Sequence, residues 1–144
     1  MVKAVRHTGI VVSNLEKALH FYRDLLGLKI VKDADESGDY IDNMLSLKNV
    51  RVRTIKMAAD DGNLIELLYF YSHSCEAKKD RQFYEIGVSH VAFTVEDIEA
   101  IYHKLKEEGV FFNAVPQYSP DGYAKVTFCK DPDDNSVELV EVLN

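Results

Sequence analysis

The chain has 144 residues, 47% of them hydrophobic and 28% charged, with seven glycines and three prolines, a balance that excludes a disordered or collagen-like polymer. Its net charge of −7 argues against a general nucleic-acid or anionic-membrane surface and leaves a small molecule as the expected partner. No apolar run approaches the roughly 18 residues of a membrane helix, and Cys75 and Cys129 stand in no metal-type spacing, so reduced thiols in the cytoplasm are expected.

Residues 1–7 read as the opening of a strand, without the apolar stretch of a signal peptide. Residues 7–27, HTGIVVSNLEKALHFYRDLLG, continue as strand, cap, helix and stop. Ser13 and Glu16 have capping-box spacing, Leu15, Ala18, Leu19, Tyr22 and Leu26 recur as one helical face, and Gly27 stands where a left-handed residue ends a helix. Within 32–48 the polar start reads as a loop and YIDNMLSL as one or two helical turns. Residues 50–70 form two strands joined by an Asp- and Gly-rich hairpin turn, and 72–86 form a connection.

The pattern then repeats. Residues 90–109, HVAFTVEDIEAIYHKLKEEG, again give a strand opening on His, a helix with Asp97 as cap, and a terminal Gly109. Residues 122–142 repeat the double strand, with Val137, Glu138 and Leu139 set 72 positions after Ile65, Glu66 and Leu67. The chain therefore reads as one domain of two modules, 1–71 and 87–144, each too small to bury a sheet face alone.

Two chemical pairs recur with the repeat: His7 with His90, and Glu66 with Glu138. A carboxylate at the centre of an apolar strand is costly unless paired or metal-bound. Strand alternation turns Ile65, Leu67, Val137 and Leu139 toward the helices and both glutamates toward the open face. Two imidazoles and two carboxylates suit one divalent ion of borderline hardness, such as Zn, Ni, Co or Mn. Arg53 and Lys125, also 72 positions apart, are expected on the open face, either as a clamp for an anionic substrate group or as solvated strand edges, with Ile55, Met57, Thr127 and Cys129 beside them and Val126 and Phe128 on the helix side. Motifs of nucleotide binding, serine hydrolysis and zincin proteolysis are absent.

The segments HTGIVVSNLEKALHFYRDLLGLKIV, IELLYF, SHVAFTVEDIEAIYHKL and DPDDNSVELVE resemble the vicinal-oxygen-chelate superfamily of glyoxalases, bleomycin-resistance proteins, methylmalonyl-CoA epimerases and extradiol dioxygenases. The resemblance implies an α+β fold of two tandem βαβββ modules whose mixed sheets curve into a cup, commonly in a homodimer. It places His7, Glu66, His90 and Glu138 on the family's four metal-ligand positions. A full set resembles the lyases, isomerases and epimerases, in which a carboxylate moves a proton next to a metal-bound carbonyl; Glu138 is the first candidate for that base and Glu66 the second. An epimerase-type catalytic Glu would fall near Lys48 and Asn49, where none stands. Two alternatives accompany this reading: a non-catalytic resistance-type binding protein, and an extradiol-type dioxygenase that would not need Glu66.

Overall fold

A computed structural model describes residues 1–76 and 80–144; residues 77–79 of the expected connection lie outside the described residues. The chain divides into two compact units, Met1–Ala77 and Lys78–Asn144.

The first unit runs β1 (His7–Val11), α1 (Leu15–Leu19) continued by a π-helical segment (His20–Leu25), β2 (Lys29–Ser37), α2 (Asp39–Leu45), β3 (Arg51–Ala58) and β4 (Leu64–Phe70). The second runs β5 (His90–Thr94), α3 (Ile98–Glu107), β6 (Gln117–Tyr118), β7 (Ala124–Lys130) and β8 (Ser136–Val142). The sheet orders are β1-β4-β3-β2 and β5-β8-β7-β6, with β1 parallel to β4 and β5 parallel to β8. Register repeats as well as order: Gly9 lies opposite Glu66 as Ala92 lies opposite Glu138. The fold is α+β, and each unit is a βαβββ module.

The helix starts revise one expectation. Asn14, not Ser13, is the first cap, its Oδ1 accepting the Lys17 N–H at 3.0 Å, and Asp97 caps α3 in the same way through Ala100 at 2.9 Å. The two caps are 83 positions apart, the same offset as His7 and His90. From cap to terminal glycine, however, the first module has 13 positions and the second 12. The π segment absorbs the extra residue: the Leu26 N–H reaches back five residues to the Phe21 carbonyl. That wider turn shifts the buried face, which holds Ala18, Phe21, Tyr22 and Leu25 rather than Leu26. Gly27 and Gly109 have φ of +82° and +83°, as helix-ending glycines require.

The opening strand begins at His7 rather than at the terminus, and the polar start of 32–48 is not a loop. It belongs to β2, an edge strand exposed along most of its length, so neither face shows the apolar alternation that would reveal it. The expected helical turns follow as α2.

The sheet interior is formed as the strand pattern predicts on β4 and β8, where Ile65, Leu67, Val137 and Leu139 are buried. On β3 and β7 the expected faces are reversed. The ladder pairs Cys129 with Val137 and Thr127 with Leu139, and both are buried, as are Ile55 and Met57. Phe128 lies opposite Glu138 and Val126 opposite Val140, away from the buried side. Residue size misled here, because Thr127 meets the demands of burial by donating its hydroxyl to the Ala114 carbonyl at 2.7 Å.

Candidate metal centre

Within each module the parallel pairing of first and last strands brings His and Glu together. In the first, His7 Nε2 lies 3.6 Å from Glu66 Oε1; in the second, His90 Nε2 lies 3.0 Å from Glu138 Oε2. All four side chains are partly exposed, the carboxylates at 13% and 22%. Each pair thus presents one nitrogen and one oxygen to a common point.

The spacing fits a metal's ligand shell. With bonds of about 2.1 Å, two ligand atoms are about 3.0 Å apart at a right angle and about 3.4 Å apart at the tetrahedral angle. The His7 pair is also too long for a hydrogen bond, and His7 Nδ1 is buried with no hydrogen-bond partner among the described residues. The 3.6 Å gap between Nε2 and the carboxylate is open to a cation that both would share. In the second module Ser89 Oγ contacts His90 Nδ1 at 2.7 Å. That contact orients the ring with Nε2 toward Glu138, as an outer partner does for a ligating histidine. Among the described residues no group of three or more His, Cys, Asp or Glu side chains gathers as a metal site, so each module supplies a pair.

The surroundings of the two pairs differ. Lys56 lies opposite Glu66 and its Nζ is 3.6 Å from Oε2, so both oxygens of Glu66 face a nitrogen. Phe128 holds the matching place opposite Glu138. Its ring meets His90 edge-on at 5.3 Å, while Phe83 stacks on His90 at 5.3 Å with planes 26° apart. Sequence reasoning passed over Lys56 and Phe128 because the β3 and β7 faces were assigned in reverse. Phe83 carried no periodic signal in its polar connection.

Arg53 and Lys125 do not flank the glutamates. Both fall on the face shared with Ile55 and Thr127, opposite to Glu66 and Glu138. Arg53 makes a two-pronged ion pair with Asp33 at 2.9 and 2.7 Å, and Lys125 pairs with Glu99 of α3 beneath the Tyr118 ring. Hydrogen bonding to these partners raises both cations above their ordinary pKa, and the Arg53 guanidinium holds the Asp33 carboxyl below its own. Their charge is spent on β2 and α3, within their own modules.

A duplicated βαβββ module with His on its first strand and Glu on its last defines the class. Residues 4–139 match the Glyoxalase/Bleomycin resistance protein/Dioxygenase superfamily, and the chain belongs to it. A probable lactoylglutathione lyase of Synechocystis is 27% identical over 137 residues, covering 94% of this chain and 92% of its own. The crystal structure of a glyoxalase family protein from Bacillus cereus superposes with a TM-score of 0.89 at 24% identity, covering 100% of this chain and 97% of that one. The fosfomycin resistance protein FosX of Listeria monocytogenes, crystallised with Mn(II) and sulfate, has a TM-score of 0.67 at 16% identity, covering 99% and 95% of the two chains.

Proposed function

We propose that this chain is a metal-dependent lyase, isomerase or epimerase of the glyoxalase type, with His7, Glu66, His90 and Glu138 as the ligands of one divalent ion, Zn, Ni, Co or Mn. The observation that carries the reading is the repeated pair: the same two residue types, at the same ladder positions, 3.6 and 3.0 Å apart in the two modules. The curated relative named as a probable lactoylglutathione lyase supports the same class. The bound ion supplies Lewis acidity that acidifies the carbon next to a substrate carbonyl.

The residues then divide the work. Glu66 is the fixed carboxylate, since His7 and Lys56 each face one of its oxygens. Glu138 is the base: among the described residues its polar partner is His90, through Oε2. It takes the proton from the carbon beside the carbonyl and, in an isomerisation, returns it to the neighbouring carbon. The rings of Phe83 and Phe128 pack against the His90 imidazole and hold its orientation.

The test is turnover by metal-replete protein of the hemithioacetal of methylglyoxal and glutathione, with methylmalonyl-CoA and a catechol assayed in parallel. The reading expects proton-transfer activity on a carbonyl substrate that a chelator abolishes and a divalent ion restores. Oxygen consumption with the catechol, or small-ligand binding that is indifferent to His7→Ala and Glu66→Ala, would replace it with the dioxygenase or the binding protein.

A further inference from the structure

Lys32 of β2 lies directly opposite Lys56 of β3, and Lys56 lies directly opposite Glu66 of β4. Opposed residues of antiparallel strands share a sheet face, so Lys32, Lys56 and Glu66 form one row across three strands. The neighbouring acids of β2, Asp33 and Asp35, alternate to the other face with Arg53. On the face of the lysines the next acid along β2 is Glu36, four residues and about 13 Å away.

Like charges directly opposite one another destabilise a ladder. Glu66 compensates Lys56, whose side chain is 24% exposed, whereas Lys32 is exposed and has no ion pair or hydrogen bond among the described residues. Among the described residues of the second module no such pair stands. Phe128 takes the place of Lys56, and the two residues of β6 pair only with Val126 and Lys125. Lys32 belongs to what the first module adds, a longer edge strand, while Lys56 stands where the second module has Phe128, and together they break a rule of sheet stability beside the candidate centre. Such breaks are expected where a site requires them.

We propose that Lys32 and Lys56 form an oxyanion-binding subsite that takes a carboxylate or phosphoryl group of the substrate. The proposal rests on Glu66 being a metal ligand. When Glu66 shares its charge with a divalent ion, Lys56 loses much of its compensation, and two ammonium groups face outward together. An anionic group seated there receives two charge-assisted hydrogen bonds. This pair is the cation clamp that Arg53 and Lys125 cannot provide from the opposite face.

The experiment is calorimetric titration of metal-loaded protein with inorganic phosphate and, separately, with malonate, comparing wild type, Lys32→Met, Lys56→Met, the double variant and Arg53→Met. Loss of either lysine is expected to weaken anion binding about fivefold to tenfold, the double variant more than either, and Arg53→Met less than twofold. Weakening confined to phosphate identifies a phosphoryl group, and weakening confined to malonate a carboxylate. Equal binding by wild type and the double variant, or no binding of either anion by wild type, overturns the subsite. Glu66→Gln separates this result from the fate of the metal reading, because it removes a ligand and frees Lys56 at once. Metal content is measured independently on each variant. If Glu66→Gln still binds the anion, the lysines hold it; if binding vanishes with the ion, the ion held it and the subsite is wrong.

Discussion

Replacing Glu138 by Gln keeps the shape of the side chain and removes its capacity to take a proton. Glu138 lies 3.0 Å from His90 Nε2 and is 22% exposed, so an amide fits the space and hydrogen-bonds in place of the carboxylate. A general base contributes about 10²- to 10⁴-fold, which places the loss in kcat at about 3–5 kcal/mol of activation free energy. Glu66→Gln is the control, since Lys56 and His7 already face both of its oxygens and the proposed division of work has it hold rather than move a proton. Each variant, having lost a charged ligand, is expected to bind the ion more weakly. The assay is kcat at rising divalent-ion concentration, with thermal unfolding to confirm that both variants stay folded. Saturating metal restores Glu66→Gln to near wild-type turnover and leaves Glu138→Gln at least a hundredfold down. A Glu138→Gln enzyme that retains more than a tenth of wild-type kcat refutes the assignment, and equal, irreparable losses in both variants refute the division of roles.

Three further outcomes follow from the fold. Leu67 is fully buried between Ile10 and Ile55 in the first sheet, so Leu67→Ala should cost about 2–5 kcal/mol and lower the melting temperature by roughly 5–15 °C; a shift under 2 °C in calorimetry would contradict its place in the core. Hydrogen bonds from Arg53 lower the Asp33 pKa, so the pair stabilises the fold above the ordinary Asp range and the benefit is lost as pH falls through the depressed folded value. With the two side chains 35% and 39% exposed, solvent screening limits that benefit to at most about 1 kcal/mol, and the stability gap between wild type and Arg53→Met should close in acid; a gap that widened would contradict the sign. Burial pushes the Cys129 thiol up to about 12 while Cys75 is partly exposed, so a thiol reagent at mild pH should titrate one group in the native protein and two in denaturant.

The duplication was legible because it is written at several levels at once. The His positions, the Glu positions, the helix-ending glycines and the hairpin turns all recur, and the ladder registers repeat with them. Asn14 was legible too, through its 83-position offset from Asp97, but the Ser13–Glu16 spacing offered a competing local signal. What stayed hidden depends on relations that one-dimensional periodicity does not carry. Edge strand β2 has no buried face, so its polar residues resembled a loop. The faces of β3 and β7 follow from the hairpin register that sets Lys56 opposite Glu66 and Phe128 opposite Glu138. Reading apolar size in place of that register put Arg53 and Lys125 on the wrong side and passed over Lys56. The His and Glu of each pair were recognisable because parallel pairing of first and last strands brings together residues that the repeat had already matched.

Metal stoichiometry tests the central claim most directly. Protein purified without chelator and equilibrated with Zn, Ni, Co or Mn should retain one divalent ion per chain by elemental analysis. The combined His7→Ala and His90→Ala variant should retain almost none while keeping the wild-type circular dichroism spectrum. A metal-replete wild type that holds no ion, or a double variant that holds it as tightly as wild type, would contradict the assignment of His7, Glu66, His90 and Glu138 as a metal centre.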